Sequence, residues 1–490
     1  MPIETEVAPA AAAARLREID ELPAPPGWPL VGNALQFERP RMHQQVERWA
    51  REYGPYFSFR IGTRRILVVA DHAAMGALLR DRPDGFRRTK RLAEITAEIG
   101  SAAVGVFGSE GEAWKRQRRM VMAGFDPRHL RVYFPSLVKV SERLAGRWGR
   151  AADAGAPIDL QADLMRYTVD TVSGLAFGAE VNTLESDDDV IQRHLDKIFP
   201  AIFRRIMAAV PTWRYWKSAA DRELDASVAA IGVAIRGFVA AARKRLEDPA
   251  RRAAPENLLE AMIVAADDPQ SGITPGEIDG NVLTMLLAGE DTTANSLAWA
   301  IWLLSKHPES LARARAEVDA EVGDPSVWTI ERFARLDYVE ACANETLRLR
   351  PVAPFLMLQA LRETSVAGVR IPADTVIWGA LRNDSLREEH FDEPDRFKPE
   401  RWLVDAGPSA SSASRVSMPF GAGPRVCPGR HLAMLEIKMA LAVLLGRFEI
   451  ESVAPTRTGA AADEPAEELA FSMAPEPLTL RLRRRAGNAR

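Results

Sequence analysis

The sequence predicts a mainly α chain with a smaller β-rich portion. Three observations carry that reading. Apolar residues recur at helical spacing over 39–53, 131–152, 160–178 and 188–208. β-Branched and aromatic runs are short, at 56–61, 65–70 and 352–358, and the first two join through Gly62-Thr63 as a hairpin. Between 274 and 307 no proline follows Pro275, which predicts one helix on the order of 50 Å long at 1.5 Å per residue.

Composition narrows the class. Of 490 residues 47% are hydrophobic and 27% charged, ordinary values for a chain that buries a large core. A net charge of −3 gives no global case for nucleic acid or an anionic membrane. Two cysteines, Cys342 and Cys427, make no disulfide framework and fit a reducing cytosol. The first residues carry acids, and no run reaches the roughly 18 apolar residues of a spanning helix. The expectation is a soluble, cytoplasmic protein without a membrane anchor. Residues 1–21 read as a disordered tail and 22–490 as one domain.

Taken in order, the proline-rich stretch from Leu22 to Pro29 is stiff and extended. Asp71 is placed to cap a helix over 73–80. Glycines 105, 108 and 111 make an irregular entry around Phe107. Trp114 and Arg118 then stand one helical turn apart. An indole N–H and a guanidinium on one face suit a carboxylate. Lys115, Arg116 and Arg119 add charge suited to an acidic partner. Phe199, Ile202, Phe203, Ile206, Trp213, Tyr215 and Trp216 form an aromatic-rich stretch before a charged helix ending near Glu247.

Thr274, Pro275 and Glu277 mark the start of the long helix. Its middle is apolar nearly all round, which predicts burial. Gly289, Glu290, Asp291, Thr292 and Thr293 interrupt that middle. Glycine there costs about 0.5–1 kcal/mol, and unpaired buried carboxylates cost more, so the cluster implies a function. Gly289 permits local widening and close approach of a ligand. Thr292 can bond the carbonyl one turn back. Glu290 is expected to turn to a surface salt bridge. Further on, Glu345 and Arg348 have ion-pair spacing, Cys342 reads as inert core, 404–414 as a surface loop and 481–490 as a solvated basic tail.

The stretch from Phe420 to Gly429 presents a single sulfur on a rigid loop just before an apolar helix. Helix-start amides and nearby Arg425 favour the thiolate. One thiolate without companion ligands is a poor zinc site. It suits a metal that brings its own equatorial ligands, which is haem. From these residues alone, a buried structural cysteine stays open.

The loop resembles the cysteine-ligand motif of the cytochrome P450 family, Phe-Gly-x-Gly-x-Arg-x-Cys-x-Gly, met by Phe420, Gly421, Gly423, Arg425, Cys427 and Gly429. Four further stretches resemble family motifs in order. These are the proline-rich entry, Trp114 with Arg118, the 288–293 run, and Glu345 and Arg348 followed by Pro399-Glu400-Arg401. The resemblance implies a mainly α P450 fold whose long central helix crosses the haem, and a soluble bacterial-type haem-thiolate monooxygenase. Cys427 is then the axial ligand of the iron of haem b. Trp114, Arg118 and Arg425 hold propionates, and Phe420, Gly421 and Gly289 also adjoin the cofactor. Asp291 and Thr292 form an acid–alcohol pair for proton delivery. Glu345, Arg348 and Arg401 brace the cysteine loop. Candidate pocket residues are Phe107, Phe203, Pro354, Phe355, Leu356, Phe471 and Met473. The implied reaction inserts one atom of dioxygen into a hydrophobic small molecule such as a fatty acid, terpenoid, steroid or polyketide. Electrons come from a separate ferredoxin or flavodoxin with its reductase, docking near Lys115, Arg116, Arg119 and Arg430. A haem-thiolate isomerase or dehydratase, and a non-catalytic haem-binding protein, remain alternatives. One departure stands out: many bacterial members carry a propionate-binding arginine where this chain has Met357, Leu358 and Gln359.

Overall fold

Thr274, Pro275 and Glu277 start the central helix as their spacing predicts. Thr274 Oγ1 accepts from the Glu277 amide at 3.3 Å, and the Thr274 amide donates to Glu277 Oε2 at 2.8 Å. In the computed structural model this helix runs Pro275–Lys306, 32 residues. The structure describes residues 15–99, 105–125, 127–186, 190–195, 197–208, 210–403, 413–457 and 464–486.

Helices Leu160–Phe177, Asp337–Leu349 and Arg430–Arg447 pack around the central one. Leu297, Ala298 and Trp299 there are fully buried, and so are Trp148 and Tyr167 on neighbouring helices. Each such large side chain contributes roughly 1.5–3 kcal/mol by leaving water. The Arg430–Arg447 helix is buried on all sides from Leu435 to Gly446, which is why its pattern shows no polar face.

The β portion lies to one side. Tyr56–Ile61 and Arg64–Val69 form the expected hairpin, with Phe59 opposite Ile66. Val376–Ala380 joins Arg64–Val69 in parallel, followed by Phe355–Ala360 and the edge strand Phe86–Arg88. One face of this sheet covers the main core. The other packs on the His72–Arg80 helix through Met75, Leu78 and Leu79. Asp71 caps that helix, accepting from the Ala74 amide at 2.7 Å. A second sheet of three strands places Leu478–Arg484 between Ile158–Asp159 and Phe448–Pro455.

Several expectations are revised. Within the anticipated tail, residues 15–21 are tied down: the Arg17 amide donates to Gly368 O, and the Arg370 amide to Arg17 O, both at 2.9 Å. Residues 1–14 and 404–412 lie outside the described residues. Arg481–Arg484 is strand rather than tail, and Arg484 and Arg485 pair with Asp153 and Asp319. The single helix expected over 188–208 is two, Val190–Leu195 and Ile198–Ile206. The Ala219–Arg245 helix is long and apolar enough to cross a bilayer by composition, yet it packs on the core through Leu224, Ile231 and Ile235.

Candidate functional site

The cysteine loop is shaped by backbone that only glycine adopts easily. Gly421 and Gly423 have φ of 73° and 69°. A Cβ on Gly423 would lie 2.4 Å from Leu79 O, so glycine lets the loop seat against the end of the His72–Arg80 helix. The Cys427 amide donates to Phe420 O at 2.9 Å and closes the turn. Burial pushes the Cys427 thiol up. The Gly429 amide and the guanidiniums of Arg118 and Arg430 pull it toward thiolate. Arg425, expected to help the thiolate, is instead paired with Glu110 and lies over the Trp114 ring, 4.7 Å from its centroid. Arg118 takes that part, with Nη2 donating to Val426 O at 2.7 Å.

Next to this loop is a cluster of cations short of acid. Arg82, Arg88 and Arg425 act on one another, with Glu110 as the carboxylate acting on all three. Burial, then repulsion from Arg82 and Arg425, holds Arg88 well below the usual arginine range. Burial and Arg425 pull Arg82 down to about 10. Arg82 is 4% exposed, and its Nε and Nη2 have no hydrogen-bond partner among the described residues. Buried positive charge of this kind is stable only with an anion. Haem brings two propionates, so the donor set fits it: one thiol, an indole and four guanidiniums, counting Arg118. Arg88 stands directly opposite Leu358 in the strand pair. The positive charge missing from Met357, Leu358 and Gln359 is thus supplied by the neighbouring strand. Sequence reasoning missed Arg82 and Arg88, because nothing local marks an arginine whose partner is a ligand.

On the central helix, Thr292 Oγ1 donates to Ala288 O at 2.7 Å, as its type predicts. Asp291 accepts from Asn295 Nδ2 at 2.8 Å and from the Ser472 hydroxyl. Burial raises its pKa, and these two donors lower it. The bond from Ser472 joins positions 181 apart in the chain, and no sequence pattern announces it. Gly289 serves a different purpose from the one expected. A Cβ there would meet Val172 Cγ2 at 2.4 Å, so its smallness lets the Leu160–Phe177 helix approach. Glu290 is turned inward and not to the surface: it is 3% exposed, with its carbonyl accepting from Thr168 Oγ1 at 3.0 Å. The two-helix contact buries it. Three residues on, Thr293 bonds Glu436, a fully buried acid that burial pushes up to about 8.

The pocket candidates divide. Phe471 stacks on Phe199, centroids 4.5 Å apart, and meets Phe107 edge-on at 5.7 Å. Phe203 is half-buried nearby in sequence on the Ile198–Ile206 helix. Phe355 and Leu356 fall on opposite faces of one strand, against the main core and the second cluster respectively, so they cannot line one wall together. Pro354 is buried, its carbonyl accepting from Leu381. Met473 is fully buried with Sδ 3.9 Å from Arg382 Nη1, which takes it into the core.

Glu345, Arg348 and Arg401 come together as one ion-pair cluster. Glu345 accepts from Arg348 Nε and Nη2 at 2.8 Å, Trp402 Nε1 at 2.9 Å, the Lys398 amide at 3.0 Å and Arg401 Nε at 3.3 Å. Arg348 also donates to the carbonyls of Ser385, Pro394 and Arg396. Cys342 is fully buried, and burial drives its thiol far up, consistent with inert core. Of the expected docking cations, Arg119 and Arg430 are exposed, whereas Lys115 pairs with Glu112 and Arg116 lies 3.5 Å from Glu277.

Comparison with known proteins agrees with this picture. The family model "Cytochrome P450" matches residues 22–482. A putative cytochrome P450, CYP13A3, of Caenorhabditis elegans is 28% identical over 88% of this chain and 88% of its own. The chloroplastic carotene epsilon-monooxygenase of Arabidopsis thaliana is 27% identical over 83% of this chain and 76% of its own. The crystal structure of the cytochrome P450DA heme domain superposes with a TM-score of 0.81, covering 96% of this chain and 98% of that one at 24% identity, which shows the fold. A thiol loop, a buried ion-pair cluster at Glu345 and an arginine cluster thus sit on a mainly helical fold matched nearly end to end, and the chain belongs to the cytochrome P450 monooxygenase family.

Proposed function

We propose that this chain is a haem-thiolate monooxygenase that inserts one atom of dioxygen into a bulky apolar molecule, of the fatty-acid, terpenoid, steroid or polyketide class. The observation carrying this is the acid-poor arginine cluster beside Cys427. Its charge calls for a ligand with carboxylates, and its neighbour is a lone thiol drawn toward thiolate by Arg118, Arg430 and the Gly429 amide. When bound, haem supplies dioxygen activation, with electron donation from a thiolate favouring O–O cleavage.

The protein's own residues do the rest. Cys427 would supply the thiolate that holds the haem iron. Arg82, Arg88, Arg425, Arg118 and Trp114 hold the propionates. Asp291 holds a proton that Thr292 can pass on, one residue away on the same helix. Phe107, Phe199 and Phe471 present an apolar surface that orients substrate and excludes water. A separate ferredoxin or flavodoxin delivers electrons near the exposed Arg119 and Arg430.

The test is spectroscopic. The purified, reduced, carbon-monoxide-bound protein should show the red-shifted Soret band of a thiolate ligand, and Cys427→Ala should lose it. A colourless protein with no haem affinity would overturn the reading. Oxygen consumption in step with product separates a monooxygenase from an isomerase or dehydratase. Spin-state titration against the four compound classes identifies the substrate type.

A further inference from the structure

Ser472 stands at the tip of the hairpin made by Glu467–Leu469 and Met473–Pro475. Its hydroxyl donates to Asp291 Oδ2. The other carboxyl oxygen accepts from Asn295 Nδ2, which also reaches Ser472 Oγ at 3.2 Å. Thr292 donates to Ala288 O. Acid and alcohol therefore each have a partner, and neither bonds the other.

The residue before Ser472 belongs to the aromatic cluster. Phe471 lies parallel to Phe199, the planes 5° apart, and edge-on to Phe107. The turn between them is tight, with the Ala470 amide donating to Ser472 O at 3.1 Å. A displacement of Phe471 that carries its backbone moves the hydroxyl with it.

We propose that Ser472 is a positioning residue for proton delivery: it sets the direction of the Asp291 carboxyl and passes movement of Phe471 on to it. This rests on the reading of Asp291 and Thr292 as the proton pair. The electrostatics suit the role. Both donors to Asp291 are neutral, and among the described residues no ion pair pins the carboxyl. On the same helix, Glu290 projects about 100° round the axis. On the hairpin, Glu467 is taken by Arg382 and His43, and Glu468 by Arg457. An occupant that displaces Phe471 loosens the Ser472 bond and frees the carboxyl to turn toward Thr292.

The experiment uses the haem-loaded protein, reduced through a surrogate ferredoxin and its reductase with no substrate added. Oxygen consumption is followed from pH 6 to 9. Ser472→Ala removes a donor that favours the carboxylate, so the pH at which the rate falls should rise by about half a unit or more. The rate at pH 7 should rise at least threefold. Ser472→Thr should restore both, and Phe471→Ala should raise the rate as Ser472→Ala does. Unfolding temperature and the carbon-monoxide spectrum serve as controls for folding. A Ser472→Ala protein with wild-type rate and pH profile overturns the positioning role. A silent Phe471→Ala beside a shifted Ser472→Ala overturns the link to the pocket. A wild type that consumes no oxygen overturns the monooxygenase reading and this proposal with it.

Discussion

The fold holds two arginine clusters, one around Glu345 and one around Glu110, and they are built on opposite principles. Around Glu345, every charge is answered: two guanidiniums, an indole and an amide meet one carboxylate, and three carbonyls take the remaining N–H groups of Arg348. Around Glu110, three guanidiniums share one carboxylate and two nitrogens of Arg82 have no described partner. Both place guanidiniums out of reach of water, Arg348 at 0% and Arg82 at 4% exposure. A saturated network is scaffold, because nothing further can bind it without breaking it. An unsaturated one is a binding site, because its own stability is improved by a ligand.

The largest expected effect breaks the saturated side. Arg348→Ala leaves Glu345 buried with two of its five hydrogen bonds gone and should cost about 3–5 kcal/mol, read as a lower denaturant midpoint. On the unsaturated side the same kind of change should act through the ligand instead. Arg88→Gln and Arg82→Gln should each speed haem transfer to apomyoglobin by about tenfold or more. The haem-free protein should unfold no earlier than wild type. If haem-free stability fell as it does for Arg348→Ala, the distinction between the clusters would collapse.

Glu436 sharpens the contrast from a third direction, a buried acid with a threonine for a partner. Its folded pKa of about 8 lies above the unfolded value of 4.5. The folded state therefore binds the extra proton between those values, and stability falls as pH rises through that window. From pH 6 to 8 this one group should cost about 2 kcal/mol, and Glu436→Gln should flatten that slope. The smallest effect belongs to the surface: Arg484→Ala, which loses the exposed pair with Asp153, should change stability by about 0.5 kcal/mol or less.

The sequence showed the saturated side more readily than the other. Glu345 and Arg348 have local spacing, and the capping box at Thr274 lies within four residues, so both were legible. The loop at Cys427 was legible too, since its glycines answer to backbone geometry. Arg82, Arg88 and Ser472 were not. Each acts on a partner far off in the chain or on a ligand, and no periodicity records that. Gly289 was misread for a related reason. A glycine's meaning depends on what faces it, and Val172 comes from a helix more than a hundred positions earlier.

The strand Leu478–Arg484 has one more consequence. It is hydrogen-bonded on both sides, to Ile158–Asp159 and to Phe448–Pro455. Synthesis must therefore pass residue 484 before that sheet can close, leaving two edges unpaired until then. Shortening the chain before Leu478 would make that wait permanent. A fused tag belongs beyond the strand and not within it.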